Sequence, residues 1–368
     1  MKIGIITQPL HNNYGGLLQN YALQQTLIRM GHDPITLRAG TAQLSYSALN
    51  YAAHFCLWLA QYHLKRILGY KVEKPISQRN YKYDSAGMAG FIQKHIKCTP
   101  PLIKHYTKEI TDLKLEALVV GSDQVWRPGY NADMMGFQFL GFSKGLDIIR
   151  LSYAASFGTD KWEFTDDETT QAADLLRKFD AVSVREMDAV RMCKEHLGVE
   201  ATWVVDPTML LNWHDYLQLC KDVTPKKDKY VFAYILDDED GKRTKVKTAA
   251  SSLGFDVVFV DDKHTKHDDT VEQWLAHFRD ASYIVTDSFH GTVFALLFHK
   301  QFLCLYNEKR GSSRMESLKA ISGLENRFAT KMSQLPIEKI DYGLVLDKIE
   351  RKREKSLEFL IQSLNKHK

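Results

Sequence analysis

The residues able to do chemistry in this chain gather on short loops between apolar runs. One loop reads Asp287-Ser288-Phe289-His290-Gly291-Thr292, after the run YIVT and before VFALLF. That order predicts a strand-to-helix turn, with Ser288 or Asp287 as N-cap and His290 in the first helical turn. Unpaired N–H groups and the helix dipole favour an anion at such a point. A histidine there can donate to a phosphate or carboxylate, or act as general acid or base near neutral pH. The competing reading is a capping motif with a packed imidazole.

A second loop follows the run ALVV and reads Gly121-Ser122-Asp123-Gln124-Val125-Trp126. Gly121 allows close backbone approach, Ser122 offers a hydroxyl for sugar contacts, and Asp123 is a candidate base for a nucleophilic hydroxyl. An Asx-type turn over a packed Trp126 explains the same residues without chemistry. Near the N-terminus, Asn12-Asn13-Tyr14-Gly15-Gly16 has the glycines of a phosphate-cradling turn but no G-x-G-x-x-G or G-K-[ST] pattern. Arg185 ends the run AVSV. It reads as a surface salt-bridge residue unless its strand end faces a cleft, where a planar fork can clamp an anion. Arg310 and Arg314, in the segment RGSSR before a helical pattern, suit an anionic ligand or a basic surface loop. The cluster Asp261, Asp262, His264, His267, Asp268 and Asp269 lacks helical i, i+4 spacing and reads as a solvated loop, so no metal site is assigned.

Positioning these loops requires a regular scaffold, and the apolar pattern supplies one. Strands are predicted at 2–7, 34–37, 117–120, 148–153, 181–184 and 202–205, then at 230–236, 257–260, 283–286 and 302–306. Helical stretches separate nearly all of them, the first opening near Gly15 and ending at Gly31, a residue suited to a left-handed C-cap. Continuous apolar strands alternating with helices indicate α/β architecture with parallel sheets covered on both faces. In such sheets ligands bind beyond the carboxyl ends of the strands, where the loops above fall. The polar stretch TPKKDK at 224–229 is the predicted domain boundary. It divides an N-terminal domain (1–223) from a C-terminal one (224–343), followed by an amphipathic helix at 344–368. The region 41–114 breaks the rhythm, with an aromatic helix predicted at 45–68.

Composition narrows the function classes. At 368 residues, length favours two domains, and 44% hydrophobic with 26% charged positions is globular. A net charge of +4 argues against bulk nucleic-acid binding. The charge is uneven: 41–114 carries 11 Lys+Arg against 4 Asp+Glu, and the tail 7 against 4, so the remaining framework is acidic. The basic, aromatic insertion is a candidate surface for anionic membrane or a lipid-linked glycan, with packing on the first domain the alternative. Five scattered cysteines without a C-x-x-C pair fit a reducing compartment, and no apolar run reaches 18 residues. The expected location is cytoplasmic, with peripheral contact at the inner face of the membrane through the insertion.

In order along the chain, GIITQPLHNNYGGLLQNYALQQTL, LVVGSDQVW, SYAASFG, AVSVRE, VVDPTMLL, VTDSFHGTVFALLF, RGSSR and GLENR resemble the polysaccharide pyruvyl transferase family. The resemblance implies two Rossmann-like domains in a glycosyltransferase-B-like arrangement with an inter-domain cleft. It implies transfer of pyruvate from phosphoenolpyruvate, as donor substrate, onto sugar hydroxyls of a surface polysaccharide or its precursor, forming a ketal and releasing phosphate. No cofactor is implied. His290 matches the family's donor-side histidine, and Arg185 the arginine of its S-V-R-[ED] segment. Where many members carry R-L-H this chain reads Ser288-Phe289-His290, so Arg310, Arg314 or Arg327 would have to supply the missing cation. The implied partners are a glycan or lipid-linked glycan acceptor and a small anionic donor. Two other classes compete: a glycosyltransferase using a nucleotide-sugar donor, and a non-catalytic glycan-binding protein.

Overall fold

A computed structural model describes residues 1–38, 86–100, 106–131, 135–226, 228–238, 241–260, 269–307, 312–332 and 334–365. The helix expected at 45–68 and most of the insertion lie outside the described residues.

Four strands form the first sheet in the order β2-β1-β3-β4: β1 (Lys2–Ile6), β2 (Asp33–Thr36), β3 (Ala117–Val120) and β4 (Ile149–Ser152). All its pairings are parallel, with Ile3–Ile6 beside Ala117–Val120. A short parallel pair, β5 (Ser183–Val184) and β6 (Thr202–Trp203), continues this sheet through the isolated bridges Leu151–Ala181 and Ala155–Val184. Ser152 and Ser183 stitch the junction, each hydroxyl donating to the other residue's carbonyl. The second sheet is also parallel, in the order β11-β10-β9-β7-β8. Its strands are β7 (Tyr230–Tyr234), β8 (Asp256–Val260), β9 (Tyr283–Thr286), β10 (Gln301–Leu305) and β11 (Phe328–Ala329). The chain is therefore α/β with parallel sheets. The expected boundary at 224–229 falls between the helix Trp213–Leu219 and β7.

Strand alternation sorts side chains between layers. On β7, Tyr230, Phe232 and Tyr234 enter one core, while Val231 and Ala233 enter another on the opposite face. The first core is shared between the halves: Ile5, Tyr14 and Leu23 belong to it together with Trp274, Phe294 and Phe302. The Tyr14 ring stacks on Trp274 at 5.2 Å, and its hydroxyl donates to the Asp269 carbonyl at 2.7 Å. Burying each such ring is worth roughly 1.5–3 kcal/mol, so this aromatic seam holds the first helix, Tyr14–Arg29, against the second sheet. As predicted, that helix stops before Gly31, whose φ is +80°.

The terminal helix, Tyr342–Asn365, returns to the first half. Its Ser356 hydroxyl accepts from the Val205 N–H at 3.0 Å, and Arg353 donates to the Met209 carbonyl at 2.6 Å. Lys352 lies 3.5 Å over the Trp203 ring and donates to the Trp203 carbonyl at 2.8 Å. Among the described residues, no helix is long and apolar enough to cross a membrane.

Candidate active site

The loops singled out in the sequence converge where the carboxyl ends of β3, β5 and β6 meet that of β9. Ser288 is the N-cap of the helix Phe289–Leu297, its hydroxyl accepting from the Gly291 N–H at 3.3 Å. Asp287 instead ties down the strand end of β7, accepting from the Leu236 and Asp237 N–H groups at 2.7 and 3.1 Å. Thr292 is buried and bonds back to the Ser288 carbonyl at 3.0 Å. Gly291 is required sterically, because a Cβ there would stand 2.2 Å from Thr286 Oγ1. This frame places the His290 imidazole, 8% exposed, against the first helix. A Cβ on Gly15 would lie 2.0 Å from His290 Nδ1, so only glycine lets the two helix N-termini approach this closely. Asn13 caps the first helix, accepting from the Gly16 N–H at 2.9 Å.

Asp206 stands at the centre. Its Oδ2 accepts from Ser122 Oγ at 2.8 Å and Arg185 Nη1 at 3.0 Å, and lies 3.6 Å from His290 Nε2. Its Oδ1 accepts from the Thr208 N–H at 3.0 Å and the Thr208 hydroxyl at 2.7 Å. Burial alone would raise this carboxyl, but His290, Arg185 and the Thr208 N–H outweigh it and hold the group well below the usual carboxylate range. Arg185 is 2% exposed, which sets aside the surface-salt-bridge reading. Its Nε donates to Glu186 Oε1 at 3.0 Å, its Nη2 lies 3.6 Å from Asp123 Oδ1, and its plane stacks 4.3 Å over Phe289. Burial opposes its charge, yet Glu186, Asp206 and Asp123 raise its affinity for the proton further. Glu186 accepts from Ser156 Oγ at 2.7 Å, and burial pushes its carboxyl up. Arg314, half-buried in the helix Ser313–Ser322, faces the same group; burial and Arg185 lower its hold on its proton, against Glu186 and Asp123.

Asp123 has φ +74°, a left-handed conformation that aspartate tolerates better than most residues. Ser122 is fully buried and serves Asp206 rather than facing outward. Gly121 needs no glycine-specific space, since a Cβ would meet the Ile6 carbonyl oxygen at 3.4 Å, an ordinary contact. Arg327 is spent elsewhere: its guanidinium donates to Tyr283 Oη and to the Pro336 and Glu338 carbonyls. Arg310 and residues 261–268 lie outside the described residues; Asp269 pairs with His277 at 2.9 Å.

Among the described residues, His290 Nε2, Arg185 Nη2 and the Glu186 oxygen Oε2 are buried with no hydrogen-bond partner. Buried polar atoms are nearly always bonded. Sequence reasoning overlooked Asp206 and Glu186, although both stood in quoted segments. Their signals were a D-P-T turn at a strand end and the acid after Arg185.

A family model described as polysaccharide pyruvyl transferase matches residues 13–309. The chain belongs to the polysaccharide pyruvyl transferase family. Membership makes it a transferase, and the matched span holds Asp123, Arg185, Asp206 and His290. No curated protein matches this pyruvyl transferase family member. Solved structures similar to it include the UDP-GlcNAc 2-epimerase of Methanocaldococcus jannaschii, at 11% identity and TM-score 0.48, covering 99% of both chains. The S. aureus MnaA–UDP co-structure is 14% identical with TM-score 0.47, covering 98% of this chain and 90% of that one. The spinosyn rhamnosyltransferase SpnG with thymidine diphosphate is 10% identical with TM-score 0.43, covering 99% and 92%.

Proposed function

We propose that this family member transfers pyruvate from phosphoenolpyruvate to two hydroxyls of a sugar acceptor, forming a pyruvate ketal and releasing phosphate. The observation that supports it most is that His290 Nε2 and Arg185 Nη2 are buried with no hydrogen-bond partner among the described residues, near where two helix N-termini meet. A donor carrying both a phosphate and a carboxylate suits such a place.

The chemistry asks for few groups. In the proposed course, imidazolium at His290 delivers its proton to the donor's methylene carbon, which becomes the methyl group. The first hydroxyl adds to the adjacent carbon, and the second then displaces phosphate as that carbon–oxygen bond breaks. Of the two hydroxyl protons, one leaves with phosphate and the other restores His290. Asp123 takes a hydroxyl proton during attack, and Arg314 provides the cation that Ser288 does not. The acceptor is a glycan or a lipid-linked glycan on this reading, worked on in the cytoplasm beside the membrane.

The test is phosphate release from phosphoenolpyruvate with a panel of sugar acceptors, beside thermal shifts with phosphoenolpyruvate, UDP and CMP. Acceptor-dependent release and a shift with phosphoenolpyruvate support the proposal. A shift with a nucleotide alone overturns it in favour of a nucleotide-sugar glycosyltransferase.

A further inference from the structure

We infer that Asp206 is a positioning residue: one of its oxygens holds the His290 acid and the Arg185 cation to the same donor. The inference rests on the proposed function for its catalytic consequence and on geometry for everything else. Asp206 is 1% exposed and reaches three segments through Oδ2: Ser122 after β3, Arg185 after β5 and His290 in the first turn of its helix. Thr208 fixes the other oxygen twice, so the carboxylate cannot turn. The spacing to His290 Nε2, 3.6 Å, is too long for a hydrogen bond and short enough for strong charge attraction. The carboxylate therefore sits beside the imidazole without tying up Nε2 in a hydrogen bond, so that ring edge stays open toward a donor carbon. A carboxylate hydrogen-bonded at Nε2 would instead compete with the reaction.

Other charges near the ring do not perform this task. Arg185 opposes an imidazolium and is itself neutralised through Asp206, Glu186 and Asp123. Arg314 interacts with Arg185 and adds further positive charge. The first helix presents Gly15 and the Asn13 cap, both uncharged, and its N-terminus also disfavours an imidazolium. Among the described residues, Asp206 is the carboxylate that lies within 4 Å of His290 Nε2.

The experiment is a double-mutant cycle with a spectroscopic arm. Asp206→Asn should lower kcat about 100-fold, at the low end of general acid contributions. The KM for phosphoenolpyruvate should change less. In a His290→Ala background the same change should cost no more than about 10-fold, the part that passes through Arg185. Equal losses in both backgrounds would overturn the inference and leave Asp206 a fold-stabilising residue. Independently of turnover, Asp206→Asn should move the NMR titration midpoint of the His290 Hε1 proton downward. If that variant does not fold, Ser122→Ala frees Oδ2 of a neutral donor and should move the midpoint upward. A midpoint that moves in neither variant overturns the inference. Should the wild type turn over no phosphoenolpyruvate, the proposed function falls and the NMR arm still decides the role of Asp206.

Discussion

Replacing Gly15 by alanine probes the contact that joins the two halves of the site. The new Cβ would fall 2.0 Å from His290 Nδ1, 2.3 Å from Cγ and 2.7 Å from Cε1. The ring must retreat by about 1.4 Å to restore a 3.4 Å contact, and misplacement on that scale costs about 10²-fold in rate. Such a loss corresponds to about 2.7 kcal/mol of barrier. Stability responds differently. Alanine gains about 1 kcal/mol of helix propensity over glycine, against about 1–3 kcal/mol for overpacking. Gly15 does not adopt a positive φ, so no backbone strain enters. Gly15→Ala should thus lose kcat about 10²-fold while its melting temperature falls by only a few degrees. The assay is the initial rate of phosphate release from saturating phosphoenolpyruvate, paired with a thermal melt. Gly16→Ala is the control: its Cβ would meet the Asn13 side chain at 3.0 Å, away from His290, and activity should stay near wild type. A Gly15→Ala enzyme within threefold of wild-type kcat would refute the view that His290 works from this position.

Three further outcomes are expected. Arg314→Gln should raise the KM for phosphoenolpyruvate about 10–100-fold with a smaller effect on kcat, since a charged hydrogen bond is worth about 1.5–3 kcal/mol; an unchanged KM removes Arg314 from donor binding. Asp206 titrates below its unfolded value of 3.8, so its contribution to stability is present above that pH and is lost as pH falls through the lower folded value; the melting temperature should drop steeply below about pH 4, and Asp206→Asn should flatten that drop. Burial, with Lys355 adding to it, lowers the Lys352 ammonium from 10.5 to about 8, so the unfolded chain holds this proton more tightly. Stability should therefore rise with pH between about 8 and 10.5, and Lys352→Met should abolish that rise; identical pH curves would refute the assignment.

The strands were legible because parallel, doubly covered strands are continuous apolar runs. ALVV and YIVT are observed with unchanged bounds, at Ala117–Val120 and Tyr283–Thr286. The runs at 181–184 and 202–205 gave strands of two residues each: the first pairs through its carboxyl half, directly before Arg185, and the second through its amino half, leaving 204–206 to run on into the site. The two-residue β11 was not legible: Phe328–Ala329 is too short to show a period. Within the site, His290 and Asp123 were readable because each stands beside a glycine or a cap at a strand end. The hub was not, because Asp206 gains its meaning only from Ser122, Arg185 and His290, residues 84, 21 and 84 positions away. Likewise, Ser122 looks like a sugar-facing hydroxyl in sequence, and only the fold turns it inward. The return of the terminal helix to Trp203 and Met209 depends on tertiary packing that amphipathic spacing cannot specify.

The central claim is that His290 protonates a phosphoenolpyruvate carbon at the junction of the two sheets. The most direct measurement is turnover in deuterated water of wild type and His290→Ala, with phosphate counted and the product methyl group analysed for deuterium. One solvent deuteron per ketal methyl is expected in wild type, and a fall of about 10²–10⁴-fold in phosphate release and deuterium uptake together in His290→Ala. Undiminished turnover in His290→Ala would contradict the claim.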